Sequence, residues 1–376
     1  MSGSERVEGL TESVIREMTR KAIKNDAINL SQGYPEYPTA EKVRKAAVEA
    51  INEDENQYSI TWGKQELREK LSEKLKNFNN IEYDPEMEIT ITCGASESIM
   101  STMLGLIDSG DEVIIFQPFY ENYVPSVRMA SGKPVFTTIQ NDMSLDHEEI
   151  KNTVNENTKM ILLNTPHNPT GKVFSKEELE FIRDLCVDND ILAVTDEMYE
   201  HIVFEGEHIS LASIDDMWER TVTISGFSKA YSVTGWRVGY SAAPKDLMNP
   251  IRKVHDYTTV CSPTPFQKAA VQALSLPTDY YQDMVDYYRK ARDFVYDKLS
   301  ECDLEPSLPN GAYYMMASLD NIDMDDIEYT DYLVKEKGVA VVPGSSFFEH
   351  GGEDMVRFCF SQKMEDLSEA MDRILK

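Results

Sequence analysis

Met160-Ile-Leu-Leu-Asn164, the stretch Lys176–Asp188 and Ile191-Leu-Ala-Val-Thr-Asp196 together decide how this chain folds. The two apolar runs have strand length and are bounded by turn residues, and the stretch between them reads as helix. The same unit recurs along the chain. Glu88-Ile-Thr-Ile-Thr92 reads as a strand that leads through Gly94-Ala95-Ser96 into a helix from about Glu97. Glu112-Val-Ile-Ile-Phe116 and Thr221-Val-Thr-Ile224 are further apolar or β-branched runs. Strand and helix in alternation predict an α/β fold with a mostly parallel sheet covered on both faces. Such sheets bind ligands beyond the carboxyl ends of their strands.

Outside that pattern, Glu41–Glu53 carries a helical stripe of Val43, Ala46, Ala47, Ala50 and Ile51. After Pro265 the pattern changes to a long helical region (Gln267–Ser300), short strands at Ala312–Ser318 and Val339–Pro343, and a final helix, Met364–Leu375. The expected organisation is a large domain over residues 40–275. A smaller α+β domain combines the N-terminal arm, 1–39, with residues 276–376.

The chain has 376 residues, enough for one large or two unequal domains with a substantial core. It is 41% hydrophobic and 27% charged, the composition of a soluble globular protein. No apolar run is long enough to span a bilayer, and Met1-Ser-Gly-Ser-Glu-Arg6 lacks the signature of a secretory leader. The five isolated cysteines form no CxxC pair and fit a reducing cytoplasm. A formal net charge of −29 disfavours nucleic acid as a partner. The acidic patch from Asn321 to Glu328 reads as a solvated loop. The six histidines are scattered without metal-ligand spacing, so no metal site is expected.

The chemistry centres on Ser225-Gly-Phe-Ser-Lys-Ala-Tyr-Ser-Val-Thr-Gly-Trp-Arg-Val-Gly-Tyr240. Lys229 follows a buried strand, where desolvation penalises an ammonium unless it is paired or chemically employed. It is either a surface lysine in a turn or a Schiff-base former toward a carbonyl compound, pyridoxal phosphate included. That cofactor also demands an anion for its pyridine nitrogen. Asp196, ending an apolar strand, is the candidate, although a capping aspartate is common there. Tyr199, three residues on, is either a donor to the cofactor's phenolic oxygen or a packed aromatic. A phosphate cradle is available at Gly94-Ala95-Ser96, between strand and helix, with Arg237 as a fixed charge. Arg357, in Met355-Val-Arg-Phe-Cys-Phe360, is either a clamp for a substrate carboxylate or a structural ion-pair residue. The octapeptide Asn164-Thr-Pro-His-Asn-Pro-Thr-Gly171 makes a fixed turn that presents Asn168 as a rigid amide.

With these pieces in order, the chain resembles the class I/II aminotransferases, the fold-type I pyridoxal-phosphate enzymes, and within them the aromatic, aspartate and kynurenine branch. The resemblance runs from Asn29-Leu-Ser-Gln-Gly-Tyr-Pro-Glu-Tyr-Pro38 to the terminal helix and is most specific at residues 164–171, Thr195–His201 and 225–240. It implies that Lys229 holds the cofactor, Asp196 pairs with the pyridine nitrogen, and Tyr199 and Asn168 bond the phenolic oxygen. Ala95, Ser96 and Arg237 would bind the phosphate, and Tyr120, in Gln117-Pro-Phe-Tyr, would stack on the ring. Arg357 would hold the substrate carboxylate, aided by Gly33 and Asn168. Tyr58 would reach the phosphate of a neighbouring subunit, which implies a homodimer with shared sites.

Two departures matter. Some members carry a phosphate-binding serine where this chain has Gly226, so Ser228 is expected to take part of that contact. Asp256–Pro265 contains no arginine, so no clamp for a second carboxylate is visible there. The resulting expectation is an aminotransferase for aromatic or broad neutral amino acids, with 2-oxoglutarate as acceptor. Tyr34, Tyr37, Trp62 and Tyr120 supply the aromatic lining of that reading. Aspartate aminotransferase and a carbon–sulfur β-lyase on the same scaffold are the alternatives. A DNA-binding regulator on this scaffold is disfavoured by the acidity and the absence of spare length. A P-loop is excluded because positions 166 and 173 are proline and valine.

Overall fold

The computed structural model describes residues 4–7 and 10–376. Residues 1–3, part of the N-terminal stretch read as lacking a leader, lie outside it. Seven strands form the central sheet: β1 (Ile89–Thr92), β2 (Glu112–Gln117), β3 (Lys133–Thr138), β4 (Thr158–Asn164), β5 (Leu192–Asp196), β6 (Thr221–Gly226) and β7 (Gly239–Ala242). Their spatial order is β1-β7-β6-β5-β4-β2-β3, and only β7 runs antiparallel to its neighbours. The mostly parallel α/β sheet is as expected, with two strands added. Lys133-Pro-Val-Phe-Thr-Thr138 is a half-exposed edge strand containing proline, which weakens its signature. Gly239–Ala242 is only four residues long and follows a loop.

The period of two along each strand sorts side chains to the two faces. Val113, Ile115, Met160, Leu162 and Val194 pack on one side with Ile99 and Met103 of helix Ala95–Leu106. Ile114, Phe116, Ile161, Leu163 and Ala193 pack on the other against Leu179, Ile182 and Leu185 of helix Lys176–Asn189. Each fully buried Val, Leu, Ile, Met or Phe among them contributes about 1.5–3 kcal/mol. Ser175 and Glu178 cap the second helix reciprocally and fix where the chain turns back after the 164–171 loop.

A second, antiparallel sheet contains β8 (Glu305–Pro306), β9 (Tyr314–Ser318), β10 (Val342–Pro343) and β11 (Met355–Cys359), in the order β10-β11-β9-β8. Ile28–Asn29 pairs in parallel with Val339–Ala340, so the N-terminal arm is stitched to the C-terminal part. The expected single strand over Val339–Pro343 is therefore split between two sheets. The long helical region is also split, into Thr264–Ala273 and Thr278–Leu299, with Pro277 capping the second helix. The acidic patch is not all loop. Asp325 caps helix Asp326–Tyr332, and Asp326 is buried, accepting from the Ser345 N–H at 2.8 Å. Helix α1 (Val14–Lys24) precedes these elements, and its cap Ser13 lies beside the central sheet's carboxyl edge, donating to Glu121.

Candidate active site

A cavity of about 240 Å³ opens beyond the carboxyl ends of the parallel strands. The register pairs Asn164, the last residue of β4, with Asp196, the last of β5. Asn164 Nδ2 donates to the Asp196 carbonyl at 2.7 Å, locking the two strand ends together. The Asp196 carboxylate accepts from Tyr123 Oη at 2.9 Å and from the Met198 N–H at 3.2 Å. Burial raises its pKa to about 6 against these two donors, so the group lacks a full positive partner. Lys229 follows β6 by three residues and faces the same cavity. Although the residue touches the cavity, its amine is enclosed by protein, and that desolvation lowers its pKa to about 8. Nζ donates to the Gly33 carbonyl at 2.5 Å and lies 5.7 Å from the rings of Tyr199 and Tyr313.

Gly33 is required by close packing. A Cβ there would lie 1.8 Å from Tyr314 Oη. The Tyr314 hydroxyl shares a 2.8 Å hydrogen bond with that of Tyr199, and its ring stacks 4.3 Å from the Arg357 guanidinium. Arg357 is fully buried behind the cavity rather than on its surface. It donates to Asn168 Oδ1 at 3.0 Å and to the Ser31 carbonyl at 2.5 Å, while its Nε has no partner among the described residues. Asn168 also donates its backbone N–H to Asn164 Oδ1 at 2.7 Å. With its side-chain oxygen taken by Arg357, Asn168 has its NH2 left to face the cavity.

At the opposite end, Gly94 turns from β1 into the helix that begins at Ala95. Its φ of +80° is the left-handed region, and a Cβ would meet Arg237 Nη2 at 2.3 Å. Arg237 itself has φ +54°, a strained setting for a side-chain-bearing residue. It donates to the Thr234 carbonyl at 2.9 Å and has no carboxylate partner among the described residues. Ala95 and Ser96 follow Gly94 in the first turn of that helix, and both line the cavity with Arg237 and Ser228, so N–H groups, two hydroxyls and a guanidinium are available to one ligand. Gly226 also has a reason. A Cβ there would sit 2.9 Å from Gly239 Cα, so the β6–β7 approach excludes a serine.

These features match one family along nearly the whole chain. Residues 25–374 match the family described as Aminotransferase class I and II. The chain belongs to the class I and II aminotransferases. It is 37% identical over 382 residues to an aspartate aminotransferase of Pyrococcus abyssi, covering 100% of this chain and 98% of the relative. It is 35% identical to human kynurenine–oxoglutarate transaminase 3, covering 100% of this chain and 90% of that one. The solved structure of an aromatic aminotransferase from Pyrococcus horikoshii superposes with a TM-score of 0.89 at 35% identity, covering 95% and 97% of the two chains. The aminotransferase is a pyridoxal-phosphate enzyme, and its fold is that of the fold-type I group. Its residues fit that cofactor. The donor set suits a phosphate, a buried carboxylate suits a protonated ring nitrogen, and an enclosed amine of lowered pKa suits capture of an aldehyde.

Most of the residues singled out from sequence meet in this cavity. Gly33, Ala95, Ser96, Tyr120, Asn168, Asp196, Tyr199, Ser228, Lys229 and Arg237 all line it. Tyr58 does not, being 80% exposed on another face. Of the other aromatics, Tyr34 lines the cavity, whereas Tyr37 packs among Tyr280, Tyr287 and Tyr288 and Trp62 lies against Arg252. Sequence reasoning did not find Tyr123, Asn164 or Tyr314 as site residues. Asn164 had a signal, because it ends an apolar strand just as Asp196 does. Tyr123 and Tyr314 had none.

A buried polar network lies behind the 196–200 turn. Glu197 accepts from Ser210 at 2.5 Å and lies 2.9 Å from His208 Nε2. Glu200 bonds Asn79 and the Ser225 hydroxyl and pairs with Lys74 at 2.5 Å. Burial alone would push Glu200 upward, but Lys74 reverses this and holds its pKa at about 2. Glu197, Glu200 and His208 place ligand-type atoms within 4.8 Å of one another, a set the scattered histidines did not predict. Lys74 already supplies the positive charge there. The network ties β6 to the 197–200 turn and so fixes Asp196 relative to Lys229.

Proposed function

We propose that this aminotransferase moves the amino group of aromatic or broad neutral L-amino acids to 2-oxoglutarate. The observation that carries this reading is the cavity itself, which Tyr34 and Tyr120 line together with Lys229. The names of the relatives agree in range, since they include aspartate and kynurenine–oxoglutarate enzymes. When bound, pyridoxal phosphate supplies an aldehyde for the amino group and an electron-withdrawing ring. Lys229 would hold that aldehyde until the substrate's amino group replaces it, and the freed neutral amine would take the proton from the substrate's Cα. Asp196 keeps a proton on the ring nitrogen, held in place by Tyr123, Met198 and Asn164. Tyr199 and the Asn168 amide would donate to the phenolic oxygen, and Tyr120 would supply an aromatic face for the ring. Ala95, Ser96, Ser228 and Arg237 take the phosphate. Arg357 takes the substrate α-carboxylate with Gly33 and Asn168, and its unpartnered buried Nε supports that role. Tyr314 orients Tyr199 and Arg357 together.

The working unit in this reading is a homodimer in the cytoplasm. Tyr58, Ile60, Tyr257 and Val260 are exposed by 80%, 53%, 92% and 43%, an apolar group that favours cover by a second copy. A Thr61–Asp256 contact of 3.3 Å holds the two segments that carry them together. Five free cysteines favour a reducing compartment, and no described helix is long and apolar enough to cross a membrane. The domain division is 40–275 against 1–39 with 276–376, supported by the pairing of Ile28–Asn29 with Val339–Ala340.

A donor panel against 2-oxoglutarate, read as glutamate formed, tests the substrate assignment. The expected result is a kcat/KM for phenylalanine or tyrosine about tenfold or more above that for aspartate, a margin pocket contacts commonly supply. A strong preference for aspartate would overturn it.

A further inference from the structure

Three cations line the cavity and a fourth, Arg357, lies buried behind it, and the proposed function employs all but one. Lys229, Arg237 and Arg357 serve the aldehyde, the phosphate and the α-carboxylate. Arg16, in the first turn of α1, also lines the cavity, next to Gln32. Its neighbours on α1 are paired, Arg20 with Glu12 and Lys21 with Asp331. Arg16 makes no ion pair among the described residues. Two carboxylates line the same cavity, Asp196 and Glu121. Asp196 lies at the inner end and is held by Tyr123 and Met198. Glu121 accepts the Ser13 hydroxyl at 2.5 Å, at the positive end of α1, and does not pair with Arg16.

We infer that Arg16 is a specificity-determining residue that binds the distal carboxylate of a dicarboxylic substrate, glutamate and 2-oxoglutarate in turn. The inference rests on the reading in which Arg357 takes the α-carboxylate and 2-oxoglutarate is the acceptor. A planar guanidinium suits a carboxylate in bidentate fashion, and its long stem leaves room for neutral or aromatic side chains. Glu121 on the same rim repels a carboxylate that is not seated on Arg16, which sharpens the choice of position. It also answers the missing arginine in Asp256–Pro265, because the second clamp comes from the N-terminal arm of the same chain.

The test uses holoenzyme and the variants Arg16→Gln and Arg16→Lys. The first readout is the ratio of kcat/KM for 2-oxoglutarate to that for 2-oxohexanoate, a monocarboxylate. The second is the equilibrium binding of glutarate relative to pentanoate by titration calorimetry. Arg16→Gln is expected to lower both ratios by roughly 10- to 100-fold, the range of a charge-assisted hydrogen bond, and Arg16→Lys to recover part of the loss. If wild-type enzyme aminates 2-oxoglutarate and both ratios stay within about twofold in Arg16→Gln, a solvated arginine is all that is there and the inference is overturned. If wild-type enzyme aminates 2-oxohexanoate but not 2-oxoglutarate, the acceptor assignment fails and the inference falls with it.

Discussion

Replacing Lys229 by alanine lowers kcat for transamination by about 10⁴-fold or more. One side chain is asked to capture the aldehyde and to carry the Cα proton, and positioned acid–base groups alone supply about 10²–10⁴. The loss should come without unfolding. Lys229 Nζ has one hydrogen bond, to the Gly33 carbonyl, and Tyr313 Oη donates to the same oxygen at 3.2 Å. Burial already disfavours the charged amine, since its pKa is lowered to about 8. A thermal melt close to wild type beside an inactive enzyme is the expected pair of results, and a variant that transaminates at the normal rate sinks the assignment.

Asp196→Asn is the second large effect, and it separates catalysis from stability. Asparagine keeps Oδ1 for the Met198 N–H and turns its NH2 to Tyr123 Oη, which then accepts, while the negative charge is removed and the ring nitrogen would lose its proton-holding partner. A kcat lower by about 10²–10³-fold is expected, the size seen when one preorganised electrostatic partner is removed. The cofactor-free protein should respond in the opposite direction. Burial raises the Asp196 pKa from 3.8 to about 6, so the native state prefers the protonated form. Its contribution to stability is therefore greatest below pH 4 and is lost as pH rises through about 6. At pH 7 the buried charge costs about 3 kcal/mol, the raised pKa converted at 1.36 kcal/mol per pH unit. Cofactor-free Asp196→Asn should then melt above the wild type at pH 7, with the gap closing toward pH 4. A variant that melts lower at pH 7 would mean that Asp196 is structural.

The site residues legible in the sequence share a position, at or just beyond the carboxyl end of a strand. Asp196, Asn168, Lys229 and Ser96 follow apolar runs whose period and length mark them as strands, so their neighbourhood followed from the α/β pattern. Tyr314 was legible only as part of a strand. Its contacts with Tyr199, Gly33 and Arg357 come from the docking of the small antiparallel sheet on the large parallel one, and no local pattern encodes that docking. Tyr123 was hidden for a related reason, because its hydroxyl reaches Asp196 across the top of the sheet. Strand β3 escaped through Pro134, and β7 because Gly239-Tyr-Ser-Ala242 has no apolar or β-branched run. Arg16 carried no signal, because a charged residue on a surface helix is ordinary until tertiary packing brings that helix to the cavity mouth.

The proposed function stands or falls on Lys229 as the residue that holds the cofactor. Its most direct test is to reduce the holoenzyme with borohydride, digest it and map the pyridoxyl label by mass spectrometry. The expected result is a yellow protein, bleached on reduction, with the label on the peptide that carries Lys229. Label on a different lysine, or a reduced holoenzyme with no labelled peptide, would contradict it.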